Sequence, residues 1–219
     1  MRVIYEDENL QVLDKPAGID VENIPRRVHP PKFSEGKLRR VHRLDKDTSG
    51  ILLVAKNDKA LEFFQKQFKE RKVEKKYLCL VVGNLKNKEG EIKTLLGRSP
   101  KDRRKQKVFL PQEPGALGKR EAITNYKVLE RFKNYDLIEV EPKTGRKHQI
   151  RAHFSYLGHP IAGDKLYGFK NQLCPKGLKR QFLHASYLKI KMPDEKIKEF
   201  RLELPEDLKS VIIFLARSC

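Results

Sequence analysis

The stretch from residue 91 to residue 142 is bounded by Gly90 and punctuated by Gly97-Arg98-Ser99-Pro100, Pro114-Gly115 and Asn134, residues that turn a chain or cannot continue a helix. It reads as a run of short antiparallel strands, and that fixes the class of fold before any motif is considered. More strands surround it: 3–5 and 10–13 on either side of Glu6-Asp7-Glu8-Asn9, Ile51–Lys56, Tyr77–Val82, and a hairpin of Leu183–Lys191 with Ile197–Leu204 across Met192-Pro193-Asp194-Glu195. Helices are few. Leu61, Phe64 and Phe68 repeat at helical spacing after Asn57-Asp58. Ile150, Phe154 and Leu157 share a face after Gly145, with Gly158 as C-terminal cap. Leu208, Val211, Ile212 and Leu215 mark a terminal helix opened by Pro205. The expected fold is therefore α+β, a mixed and mainly antiparallel sheet with flanking helices. No linker divides the chain, so 1–219 is expected to form a single domain.

Charge narrows the partners. With 48 Lys and Arg against 29 Asp and Glu, the 219-residue chain carries +19, an excess that suits a polyanion, nucleic acid first and an acidic membrane surface second. Its longest apolar run, near Val211–Leu215, is far short of the ~20 residues that span a bilayer, and the acidic start MRVIYEDENL is unlike a signal peptide. A cytoplasmic protein without membrane attachment, and a monomer, is expected. Cys79, Cys174 and Cys219 are isolated from one another, which argues against both a disulfide framework and a CxxC metal site. The basic, proline-containing stretch Glu22–Arg40 lacks periodicity and reads as a loop.

The chemistry concentrates in Val41–Lys56, VHRLDKDTSGILLVAK. A charged loop holding Arg43, Asp45 and Asp47 meets the turn Thr48-Ser49-Gly50 and runs into a buried strand, which puts a carboxylate at the rim of a sheet. Over the nine positions His42–Gly50 this run resembles the HRLD-x-[DE]-T-S-G signature of the RluA-type RNA pseudouridine synthases. Lys75-Lys76-Tyr77 is similar to that family's K-x-Y segment, and Thr144–Gly168, TGRKHQIRAHFSYLGHPIAGDKLYG, to its third motif. The opening IYEDENLQVLDKPAG and the late Leu183-His184-Ala185 also resemble family segments.

The resemblance implies a pseudouridine synthase catalytic domain with a central RNA-binding cleft, and isomerisation of uridine to pseudouridine in structured RNA, rRNA or tRNA. Asp45, Tyr77 and Arg151 are the catalytic candidates. Asp45 is implied as nucleophile or base. A guanidinium such as Arg151 would hold Asp45 anionic in a partly desolvated pocket and orient it. The Tyr77 ring would stack on uracil, and Arg43 would fill the gap left by an extracted nucleotide. No cofactor and no metal are expected, because the reaction conserves atoms. His42, Arg43, Arg103, Arg104, Lys105, Arg146 and Lys147 are the expected RNA contacts. Since about 40 residues precede the aspartate motif, no N-terminal S4-type RNA-binding domain is expected.

Two rival readings have weaker support. A metal-dependent hydrolase could draw on the six histidines, but His148 and His153 are five apart, so on one helix they point roughly 140° away from each other. A non-catalytic basic RNA-binding protein of the same fold is favoured by charge alone; basic runs such as Lys37–Arg40 and Lys101–Lys107 position RNA without reading its sequence. Both RNA readings share one expectation. With about 5–8 phosphate contacts, log affinity for RNA should fall by ~0.7 per contact (single strands) or ~0.9 (duplex) for each tenfold rise in salt; a flat salt response in a binding titration would show that the basic surface faces something else.

Overall fold

A computed structural model describes residues 1–23 and 40–217. Most of the Glu22–Arg40 loop, including Lys37-Leu38-Arg39, lies outside the described residues. The chain forms two compact units. One holds Met1–Lys75 and His184–Glu203, the other Lys76–Leu183 and Leu204–Cys219. Two of the three changeovers fall inside strands, β4 and β9, and the third lies just past β10.

In the first unit, β1 (Arg2–Glu6), β2 (Leu10–Lys15) and β3 (Ser49–Ala55) are successive antiparallel neighbours. β3 then pairs in parallel with β9 (Leu183–Lys191), which is antiparallel to β10 (Ile197–Arg201). Every residue of β3 is buried, which is why it reads as an unbroken apolar run instead of alternating. Helix α1 (Asp58–Lys69) starts where Asn57 caps it, its side chain accepting from Ala60 N at 2.8 Å. Ala60 and Phe64 join the core of Leu10, Ile51, Leu53, Leu188 and Ile190. Gln67 takes the place of a strand residue at the end of β9, donating to Lys191 O and accepting from Lys191 N.

In the second unit the strand order is β4-β8-β7-β5-β6, all antiparallel: β4 (Glu74–Val82), β5 (Glu89–Arg98), β6 (Gln106–Phe109), β7 (Arg120–Phe132) and β8 (Tyr135–Pro142). The expected antiparallel run over 91–142 is β5 to β8. Helices α2 (Gln149–Tyr156) and α3 (Glu206–Ala216) supply Ile150, Phe154, Leu208, Val211 and Leu215 to its core. Leu157, expected on the same buried face, is instead the C-cap and is exposed, with Gly158 following at φ 85°. The buried Asp136 carboxylate accepts from Arg131, Asn84 and Leu85 N, closing the β7–β8 hairpin onto the turn before β5. No helix among the described residues is long and apolar enough to cross a membrane.

The parallel β3–β9 pair was not legible in the sequence, since it joins residues about 135 positions apart through Ser49↔His184 and Gly50↔Ala185. It is possible only because Gly50 is glycine. Its φ is 116°, and a Cβ there would lie 2.3 Å from Ala185 O. Gly50→Ala should therefore cost more than ~3 kcal/mol by strain and strand separation, read as a lowered thermal midpoint. A variant as stable as the wild type would show that the two strands do not approach this closely.

Candidate active site

The aspartate loop is held from beneath by a buried cation. Lys15 ends β2 and is wholly inaccessible, yet its ammonium donates to Pro16 O (2.9 Å), Ile19 O (2.8 Å) and Lys46 O (3.0 Å). Three carbonyls offset the cost of taking that charge out of water. Gly18 N also donates to Lys46 O, so the Lys15–Gly18 turn and the aspartate loop share one acceptor. Thr48 N donates to Asp45 O at 3.0 Å, closing a tight turn. Val41 and Leu44 are buried on its entry side, and Ser49 Oγ lies 2.9 Å from His184 Nδ1 on its exit side. Asp45 is half-buried on this fixed backbone, while Arg43 and Asp47 are exposed. Lys15 was not singled out from sequence; the available signal was a lysine closing an apolar strand before Pro-Ala-Gly.

His42, one of the expected RNA contacts, is half-buried and bonded into the fold. Its Nε2 accepts from Leu53 N at 3.2 Å, and its ring stacks on Phe68 with centroids 4.9 Å apart. Burial, reinforced by the Lys75 charge, pushes its pKa down to about 3. The ring is thus neutral at physiological pH and works as a hydrogen-bond acceptor inside the loop.

Tyr77 and Arg151 belong to the second unit. Tyr77 lies on β4 opposite Val140, half-buried against the core. Arg151 lies on α2, buried, and grips Asp164 in a two-bonded fork, Nε to Oδ2 at 2.7 Å and Nη2 to Oδ1 at 2.9 Å. Asp164 also accepts from Leu166 N and Tyr167 N. Burial pushes the Asp164 carboxyl up, but the guanidinium and the two amides outweigh it and leave it below its ordinary value. That partner was not foreseen, although it sits inside the matched segment GDKLYG. The start of α2 is organised by Gln149, whose side chain engages Thr144, Arg146 N, Ile123 O and Thr124.

The remaining expected RNA contacts divide by how they are held. Arg103 and Lys147 are exposed. Arg104 is exposed as well, but its Nε and Nη2 bind the Asp102 carboxylate, whose pKa those bonds pull down to about 2. Lys105 lies 5.9 Å from the Tyr167 ring centroid. Arg146 donates from Nε to Glu121 O, which braces it along β7. The two α2-region histidines serve separate networks: His148 meets Tyr167 Oη, whereas His153 bridges Thr94 and Thr124.

The comparisons with known proteins agree with this picture. The RNA pseudouridylate synthase family profile matches residues 9–156, and the chain belongs to that family of isomerases, which convert uridine in RNA to pseudouridine. An "uncharacterized RNA pseudouridine synthase" of Aquifex aeolicus is 38% identical, covering 98% of this chain and 73% of that relative. The ribosomal large subunit pseudouridine synthase D of Borreliella burgdorferi is 37% identical over 98% of this chain and 67% of its own. Among solved structures, human RNA pseudouridylate synthase domain containing 1 superposes with a TM-score of 0.81 at 28% identity, covering 95% of this chain and 86% of the human one.

The buried imidazole of His153 gives a test of the second unit. Burial lowers its pKa to about 4, against ~6.5 in an unfolded chain. Between those values the unfolded state binds more protons than the folded one. Stability then falls as pH drops from 6.5 towards 4, by ~1.4 kcal/mol per pH unit from this group, and the dependence ends below 4. His153→Gln should be less stable at pH 7 but flatter by that slope in urea unfolding at pH 4.5–6.5; an unchanged slope would mean that His153 is charged in the folded state.

Proposed function

We propose that Asp45 initiates the isomerisation, as nucleophile toward ribose or base or as the base that takes a ribose proton. In the overall change the N1–C1′ bond breaks, the uracil turns while held, and C5 bonds to C1′; a proton leaves C5 and one is taken up at N1. No oxidant, energy source or cofactor enters that balance. Tyr77 supplies the face on which the uracil stacks, and its hydroxyl assists removal of the C5 proton. Arg151 orients the reacting groups, and Arg43 occupies the place of the extracted nucleotide. The observation that carries this reading is the aspartate loop: a nine-residue family match whose backbone is held by a buried ammonium, a closed turn and two buried apolar anchors. Such fixation keeps a reacting group within the narrow geometry that catalysis demands.

The substrate we propose is a structured RNA, rRNA or tRNA. The names of several relatives, among them the Borreliella enzyme, favour the large ribosomal subunit. The basic turn, with Arg103 and Arg104 exposed and Lys105 half-buried, together with Lys147 supplies phosphate contacts that fix the RNA without reading it. Pseudouridine mapping of RNA from cells with and without the gene identifies the site.

The test of the chemistry is Asp45→Asn beside Asp47→Asn. The first should bind RNA within about threefold of wild type and form no pseudouridine, because an amide is neither nucleophile nor base; the second should turn over measurably. Activity of Asp45→Asn within about tenfold of wild type would overturn the assignment. Chelator should leave the wild type unaffected, and loss of activity restored by a divalent metal would favour hydrolase-like chemistry instead.

A further inference from the structure

Tyr167 stands where three features of the second unit meet. Its hydroxyl oxygen accepts from Gln106 N at 2.6 Å, and Gln106 is the first residue of β6, directly after the basic turn. The same hydroxyl lies 3.0 Å from His148 Nδ1; having accepted from Gln106, it still has its own hydrogen to donate there. His148 itself has a left-handed backbone, φ 54°, at the N-terminus of α2, a conformation that costs a non-glycine residue energy and persists only where surrounding contacts enforce it. The ring of Tyr167 lies 5.0 Å from the Arg151 guanidinium and 5.9 Å from the Lys105 ammonium, both within cation–π range. Finally, Tyr167 N donates to the same Asp164 carboxylate that forks onto Arg151.

The basic turn is stiff enough to transmit a load to this residue. Ser99 N donates to Lys105 O, Lys105 N to Asp102 O, and Arg104 N to the Asp102 side chain. Residues 98–120 carry eight Lys and Arg against two Asp and Glu, a charge suited to phosphate, and this turn runs directly into the strand that begins at Gln106. The path from there to the guanidinium has one side chain in it.

We propose that Tyr167 is a positioning residue that couples RNA docking on the basic β5–β6 turn to the orientation of Arg151. This rests on the reading above, in which the turn contacts phosphate and Arg151 serves the reaction. The coupling works through position: docking sets the turn, the Gln106 N–H sets the phenol, and the phenol sets the plane of the guanidinium held by Asp164. Removing the hydroxyl leaves the ring face beneath both cations and deletes only the link to the turn and to His148.

The experiment measures tritium release in single turnovers, with enzyme in excess, from total RNA of cells lacking the gene and labelled with 5-tritiated uridine. Four proteins are compared: wild type, Tyr167→Phe, the triple variant Arg103→Glu/Arg104→Glu/Lys105→Glu, and the combination. Tyr167→Phe should lower the rate at saturating enzyme about tenfold while the half-saturating concentration stays within about twofold. The triple variant should raise the half-saturating concentration and also lower the saturated rate. In the combination the saturated rate should fall no further than in Tyr167→Phe alone, since the link is already cut. A saturated rate for Tyr167→Phe within twofold of wild type, or losses that multiply in the combination, would overturn the coupling. A purely structural tyrosine would lower the thermal midpoint without this split between rate and affinity. Asp45→Asn, run in parallel, separates the two readings: activity there removes the aspartate assignment whatever the Tyr167 variants do.

Discussion

The buried Lys15 ammonium is the constraint on which the first unit turns. A lysine without access to water is tolerated only when its donors are filled, and here the acceptors come from two parts of the chain, Pro16 and Ile19 on one side and Lys46 on the other. The cation therefore cannot be satisfied unless the aspartate loop lies over the end of β2. A single electrostatic requirement converts a charged loop, which would ordinarily be among the most mobile parts of a protein, into a fixed platform for Asp45. Gly50 completes that platform by letting β3 approach β9 at backbone contact distance.

The second unit uses the opposite device, a buried ion pair. Arg151 and Asp164 are both nearly inaccessible, and a pair so placed repays its desolvation only with good geometry and filled lone pairs. Both conditions are met, since the fork is bidentate and the carboxylate receives two further amides. The planar guanidinium matters here, because a lysine would offer one point charge and no plane to orient. What the pair contributes is direction more than stability: it fixes α2 against the Asp164–Tyr167 turn and so fixes which way Arg151 faces.

Most of the secondary structure was legible because its causes are local. Asn57 caps α1, Pro205 opens α3, Gly158 closes α2, and the glycine and proline punctuation of 91–142 delimits β5 to β8. What escaped was tertiary. The β3–β9 pairing joins residues that no window of sequence brings together, and Asp164, though only 13 residues from Arg151, is placed against it by the fold of the Asp164–Tyr167 turn. His42 shows the same limit: the bond its ring accepts from Leu53 N and its stacking on Phe68 were not read from the sequence. Asp45, Tyr77 and Arg151 were singled out because the family resemblance assigns them roles; Lys15 and Tyr167 lie inside the matched segments too, but their roles come from contacts, to Lys46 O and to Gln106 N, that only the fold creates.

Charge is divided between the units in a way that suits a carboxylate working on a polyanion. The second unit carries 26 Lys and Arg against 12 Asp and Glu, a net +14, and the first 22 against 17, a net +5. A carboxylate brought to RNA meets repulsion from every phosphate within a Debye length, about 8 Å at physiological salt. In the run Arg43-Leu44-Asp45-Lys46-Asp47 two cations balance two anions, so the loop itself carries no net charge. Long-range attraction for a polyanion grows with net positive charge, and the greater part of that charge belongs to the second unit. The loop that holds Asp45 is thereby free to be set by Lys15, Gly50 and the turn at Thr48, with geometry alone as its requirement.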